Sequence, residues 1–245
     1  MIYIQKNQPS AEVTNEINRV KKDGDWKHIN TEDPVAVRNV FDLLDKGIIR
    51  RQLLSEQKGL CAYCMRRIRD DEATVIEHWI PVSTDGTAAL EPANMLACCN
   101  GGRTSVEKSK ILCCDASKEN QSITLNPCNN EQMDRIRYRS DGTIYVYPDD
   151  EELTRDINEV LHLNGKVDRN GIMVQDTATR LVHDRRVTYR EFEVFIKRLW
   201  KLGKPIGPSV RRKLEEISNS TEYVEYAGVW IHFLKRKLRS LSKVS

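Results

Sequence analysis

Three observations on this 245-residue sequence predict an α+β fold. Apolar residues recur at helical spacing near both ends, and β-branched and aromatic runs bounded by turn residues occupy the middle. Between residues 61 and 114 lie six of the seven cysteines, in a turn-rich stretch with few long periodic runs. The expected organisation is a helical N-terminal segment over 1–58, a cysteine-rich module over 59–128, and a hairpin plus a helical, basic region over 129–245.

Ile2 and Ile4 open the chain with a short apolar alternation, and Ser10 to Lys22 has weak helical spacing, broken at Asp23-Gly24-Asp25. Thr31-Glu32-Asp33-Pro34 reads as a helix start, with Thr31 as N-cap and Pro34 in the first turn. Val37, Val40, Phe41 and Leu44 follow at i, i+3, i+4 and i+7, the stripe of an amphipathic helix. After an interruption at Lys46-Gly47, a second helical piece covers Ile48 to Lys58 and stops at Gly59, a C-terminal glycine. Ala73 to Ile80 reads as a strand closed by Pro81, and Asn94 to Ala97 as a short buried connection. Asp141-Gly142, between the alternating runs 135–140 and 143–147, is a hairpin signal. Helices are expected over Asp150 to Leu163, about Gln175 to Leu202, Val210 to Ile217 and Val224 to Leu241.

Charged residues make up 31%, aromatics 7%, and the mean hydropathy is −0.57, as expected of a soluble globular protein rather than a disordered one. No apolar run approaches the ~20 residues that span a bilayer, so no membrane association is expected. The first residues lack the regions of a signal peptide, and a cytoplasmic location is the expectation. The net charge of +3 is unevenly distributed: residues 1–150 hold 20 Lys/Arg against 23 Asp/Glu, and residues 151–245 hold 19 against 13. The basic C-terminal excess is compatible with phosphate contacts and equally with solvated helix faces.

An odd number of cysteines in a reducing compartment argues against a disulfide framework. Cys61-x-x-Cys64 is a metal knuckle, and the doublets Cys98-Cys99 and Cys113-Cys114 each have one ligand to complete a tetrahedral structural zinc site. Cys128 is left as a bystander. Reduced cysteines packed as small apolar residues explain one or two of these positions but not the paired pattern.

A Glu-His dipeptide alone is usually a surface carboxylate beside a hydrogen-bonded histidine. Here Glu77-His78 stands on an expected strand between the knuckles, with Asn94 after it and Cys114-Asp115-Ala116-Ser117-Lys118 closing the stretch. This arrangement resembles the HNH (ββα-metal) endonucleases. The resemblance implies zinc on Cys61, Cys64, Cys99 and Cys114, and Glu77 and Asp115 as oxygen ligands for a catalytic Mg²⁺ or Mn²⁺. It further implies His78 as general base, Asn94 as the residue holding the histidine loop, and Lys118 as a phosphate contact. On a regular strand His78 faces away from Glu77, so a bulge or loop is needed to re-aim it. Family members close with Cys-x-x-Cys; here fourteen residues separate Cys99 from Cys114, and Asn100 rivals Asp115 as terminal ligand. The spacing to Lys118 favours Asp115.

Leu54-x-x-Gln57-x-x-Leu60-Cys61-Ala62-Tyr63-Cys64, Glu77-His78-Trp79-Ile80-Pro81, Cys99-Asn100-Gly101-Gly102 and Thr124-Leu125-Asn126-Pro127 are together similar to PtuB-type HNH proteins of Septu and retron anti-phage defence systems. That resemblance covers about residues 54–127. It implies a PtuA-type ABC ATPase as partner and, in retron versions, a reverse transcriptase with its RNA–DNA hybrid. The expected activity is hydrolysis of DNA or RNA, a tRNA included. The alternative is an inactive zinc-stabilised adaptor that binds the ATPase or nucleic acid, kept open by the non-His, non-Asn residue at position 115. Arg66 and Arg67 are candidate backbone contacts. Arg185-Arg186, Arg211-Arg212-Lys213 and Lys235-Arg236-Lys237-x-Arg239 are interleaved with aromatics and read best as a docking surface on helices.

Overall fold

The computed structural model describes residues 1–106 and 110–242; residues 107–109 of the expected insertion and 243–245 of the C-terminal region lie outside the described residues. Helix α1 (Ala11–Asp23) starts at Ser10, whose hydroxyl accepts from Val13 N, and stops at Gly24. Helix α2 (Pro34–Phe41) is capped by Asp33 rather than Thr31. Asp33 has extended backbone and its carboxylate accepts from Val35 N, while Pro34 takes the first helical position, where a missing N–H costs nothing. The interruption falls at residues 42–45, earlier than expected. Asp45 caps α3 (Lys46–Glu56) through Gly47 N and Ile48 N, which places Gly47 inside the helix.

Strand β1 (Thr74–His78) pairs antiparallel with β2 (Met95–Cys99), His78 opposite Met95 and Thr74 opposite Cys99. The stretch expected to be a buried connection is thus mostly a strand. Four of the five β2 residues are buried, so the run lacks the alternation that marks a one-faced strand. Helix α3 packs on both strands, and Gln57 past its end binds β2 directly. Its amide accepts from Ala97 N at 2.8 Å and donates to Ala97 O at 2.7 Å and Leu60 O at 2.8 Å. A side chain thereby completes the β2 ladder where a third strand would stand.

A single turn, α4 (Asp115–Lys118), and a second, α5 (Asn130–Met133), lead to the hairpin β3 (Ile136–Tyr138) and β4 (Ile144–Val146). Its loop carries Gly142 at φ +93°, where a Cβ would meet Val182 O at 2.1 Å. Helix α6 (Glu151–Arg155) runs into a π turn over Asp156–Val160, so the helix expected to Leu163 ends early. The turn aims buried Asp156 back at Thr124 N and Leu125 N, 2.6 and 2.9 Å away. The hairpin β5 (Lys166–Val167) and β6 (Met173–Gln175) occupies the stretch before the long helix, which begins at Leu181 rather than near Gln175. Asp176 causes the delay by accepting from Thr177 N, Val182 N and His183 N.

Helices α7 (Leu181–Lys201), α8 (Ile206–Ser218) and α9 (Ala227–Ser242) pack together, and α9 also rests on β3. Most buried apolar residues from Met1 to Leu234 form one cluster across all three expected regions, and Val37, Val82 and Ala89 form a smaller second one. Arg185, grouped by sequence with the basic surface, is fully buried and donates to Gly142 O, Leu163 O and Asn164 Oδ1. No helix among the described residues is long and apolar enough to cross a membrane.

Candidate metal centre and the adjoining carboxylate–histidine cleft

Gly59, at φ +76°, ends the α3 segment and turns the chain into the first knuckle. Met65 N bonds Cys61 O at 3.1 Å, and Cys61 N bonds Arg66 O at 2.9 Å. Ala62 N reaches across to Ala97 O of β2 at 3.1 Å, seating the knuckle on the sheet. Cys99 is the last residue of β2, and Cys114 precedes α4. The chain between them returns through a close approach at Gly101, φ +61°, where a Cβ would lie 2.1 Å from Cys113 O. Only glycine fits there, and the contact lets a long insertion end with a cysteine beside its starting point.

The sulfur atoms of Cys61, Cys64, Cys99 and Cys114 all lie within 4.8 Å of one another. Cys61 Sγ is 3.9 Å from Cys114 Sγ, and Cys64 Sγ is 3.7 Å from Cys99 Sγ. Four sulfurs about 2.3 Å from a tetrahedral zinc are about 3.8 Å apart, so the spacing suits that ion. The cluster can hold a structural metal ion such as zinc, and it is formed by the four cysteines expected. Cys113 is not one of the four; its thiol is 3.4 Å from Thr179 Oγ1 and also borders Cys99 and Cys114. Cys98 is fully buried and is not one of the four, although its thiol lies against that of Cys61. Cys128 is half-buried and outside the cluster.

Beside the centre, β1 presents Glu77 and His78. Glu77 is buried, and its Oε1 takes Lys118 Nζ at 2.7 Å and Tyr63 OH at 3.3 Å. Burial, and then the facing carboxyl of Asp115, push Glu77 up to about 8 against the opposing charge of Lys118. Asp115 Oδ2 in turn accepts from Arg103 Nη1 at 2.6 Å. Asn100 is used up in its own turn, bonded to Thr104 Oγ1 and Gly102 N. Asp115, not Asn100, is therefore the residue brought to Glu77.

No register shift occurs between β1 and β2, yet His78 and Glu77 line the same cleft of about 280 Å³, together with Asp115, Arg38 and Phe41. The bulge considered from sequence is unnecessary because His78 is the last strand residue and the chain leaves the sheet beyond it. His78 Nε2 lies 2.9 Å from Ala89 O, and the Phe41 ring packs edge-on at 4.6 Å. A carbonyl only accepts, so Nε2 carries the proton and Nδ1 keeps its lone pair. Burial lowers the His78 pKa and keeps the ring neutral. Asn94 fixes the loop that supplies Ala89. Its Oδ1 accepts from Ile80 N at 2.7 Å, and its Nδ2 donates to Ile80 O at 3.1 Å and Ala88 O at 3.2 Å.

Three sequence expectations need correction. Lys118 is not a free phosphate contact: it is fully buried, and its Nζ also donates to His78 O at 3.0 Å. Arg67 spends its guanidinium on Lys58 O, Gly59 O and Tyr223 O, tying the end of the α3 segment to the α8–α9 connection. Arg66 is half-buried, with Nη1 on Thr179 O at 3.4 Å. Sequence reasoning missed Tyr63, Phe41 and Arg103. Phe41 read as part of a helix stripe, Tyr63 only as a position inside the first knuckle, and Arg103 lies in an insertion whose return path only the Gly101 contact defines. No family model matches the chain, and no curated protein matches it.

Proposed function

We propose that the chain is a nuclease of the HNH kind, with His78 as general base and zinc on the four cysteines. The observation that carries this reading is a neutral histidine whose Nε2 is held by a carbonyl, in the same cleft as two facing buried carboxyls. Its Nδ1 can take a proton from a water aimed at a phosphodiester. The meeting of Glu77 and Asp115 fits a cation site, since two carboxyls placed together in low dielectric want a cation or a shared proton. Mg²⁺ or Mn²⁺ bound there would stabilise charge on the leaving oxygen. Lys118 and Tyr63 position Glu77, Asn94 and Ala89 orient His78, and the zinc knuckle holds Asp115 next to Cys114.

The adaptor reading draws support from the two cations already on the carboxyls, Lys118 on Glu77 and Arg103 on Asp115. A defence role with a PtuA-type ATPase, and in retron settings a reverse transcriptase with its RNA–DNA hybrid, rests on the resemblance of residues 54–127. Exposed Val194, Trp200 and Leu202 at the end of α7 offer apolar surface for such a partner. The test is cleavage of labelled DNA and RNA pools, tRNA included, by the assembled complex. His78→Ala should keep fold, zinc and assembly while losing about 10²–10⁴-fold in rate. Wild-type cleavage by that variant would leave the adaptor reading standing.

A further inference from the structure

A second cleft, of about 480 Å³, lies between α9, β3, α5 and the first residues of the chain, and shares no lining residue with the carboxylate cleft. Its walls carry Arg137, Lys235 and Arg239 against a single carboxylate, Asp134. Among the described residues none of these three cations forms an ion pair, and Lys235 and Arg239 are exposed. They stand four residues apart on α9, about 6 Å along its axis, so both heads reach the same opening. Arg137 gives one guanidinium nitrogen to the carbonyls of Asp134 and Ile136. His232, on the same wall, has a buried Nε2 without a hydrogen-bond partner among the described residues. Burial first, and then Arg137, Arg236 and Arg239, push this histidine down to about 4. The rim bears Tyr3, 41% exposed, and the floor is apolar, with Met133, Ile136 and Tyr138.

Free cations above an apolar floor, beside an exposed aromatic ring, suit a ligand that is anionic along one edge and planar along the other. The cleft is larger than a lone phosphate requires. We infer that this cleft is a binding site for a single-stranded nucleic-acid segment, with phosphates on Arg137, Lys235 and Arg239 and a base against Tyr3. This assigns a strand-holding function to the basic face of α9 that does not depend on whether the other cleft cuts.

The experiment is fluorescence-anisotropy titration of the full chain with a labelled oligothymidylate across a salt series. Tight binding that weakens with salt is expected. Replacing Lys235 and Arg239 together with Ala should weaken it roughly tenfold or more and flatten the slope of log K against log salt by about 1.4, at about 0.7 for each phosphate no longer neutralised. Tyr3→Ala should weaken binding at every salt concentration without changing the slope, and Tyr3→Phe should preserve it. Both sites are exposed, so unchanged zinc content and melting temperature confirm that the variants are folded. Arg38→Ala, in the carboxylate cleft, should leave this binding unchanged. The inference is overturned by absence of binding, by an unchanged slope in the double variant, or by loss of binding in Arg38→Ala alone. Equal competition from thymidine monophosphate, inorganic phosphate or polyglutamate would also overturn it, the first two indicating a small-anion site and the last an acidic-peptide site.

Discussion

Replacing Cys99 by Ser and, separately, Cys98 by Ala tests the metal centre through two adjacent residues with opposite fates. Cys99 Sγ is 3.7 Å from Cys64 Sγ within the four-sulfur cluster, whereas Cys98 is not one of the four and only borders them through Cys61. A structural zinc contributes about 10–16 kcal/mol of apparent binding energy, comparable with the ~5–15 kcal/mol that separates a folded domain from its unfolded chain. The ligands come from the knuckle after α3, from the end of β2 and from the start of α4, so losing the ion releases three segments at once. Even a loss of about 5 kcal/mol would lower the melting temperature by ~10–20 °C for a chain of this size. Cys98→Ala deletes one buried sulfur and should cost about 1 kcal/mol, or roughly 2–4 °C. Metal-to-protein ratio and calorimetry, with and without chelator, separate the cases. The reasoning fails if Cys99→Ser keeps one ion per chain and the wild-type melting temperature, or if Cys98→Ala behaves like a ligand variant.

Asn94→Ala removes three hydrogen bonds that hold the loop bearing Ala89, and should cost about 1–3 kcal/mol in urea denaturation while loosening the His78 ring, visible as changed imidazole resonances; an unaltered ring environment would count against the proposed support. Lys118→Met removes the cation that opposes the upward push on Glu77, so Glu77 holds its proton more firmly and the cost should be about 1–3 kcal/mol, most of it recovered by adding Glu77→Gln; no recovery in the double variant would show that the cost arises elsewhere. Burial and nearby arginines push His232 down to about 4 from its ordinary 6.5, so between these values the unfolded chain binds more protons and stability should fall as pH falls. His232→Gln should flatten the urea midpoint over that window, and an unchanged pH slope would refute the assignment.

The residues that announce chemistry by type and spacing were legible in the sequence. Cys61-x-x-Cys64 with two later doublets demanded a metal, because thiolates that converge are costly without one. Asp141-Gly142 marked the β3–β4 hairpin, because the backbone of a tight turn accepts few residues. The amphipathic stripes of α2, α8 and α9 were visible because a helix with one buried face repeats its apolar residues every three to four positions. Strand β2 was less legible, since a strand buried on both faces has no period of two, and β5–β6 was hidden by its shortness and irregular register.

What only tertiary structure decided is which member of each pair faces inward and where each charge goes. Cys99 and Cys98 are chemically identical; the pairing of β2 with β1 selects Cys99, and the Gly101 approach selects Cys114. Lys118 was expected to reach phosphate, yet α4 lays its ammonium against Glu77 with no solvent exposure. Arg185 and Arg67, grouped by sequence with basic clusters, serve buried or half-buried carbonyls, whereas Lys235 and Arg239 form no ion pair among the described residues and stand beside a cleft. Sequence determines which groups can bind a metal, a proton or a phosphate. Burial and partner geometry depend on contacts between residues far apart in the chain, and they decide which of those groups remain available.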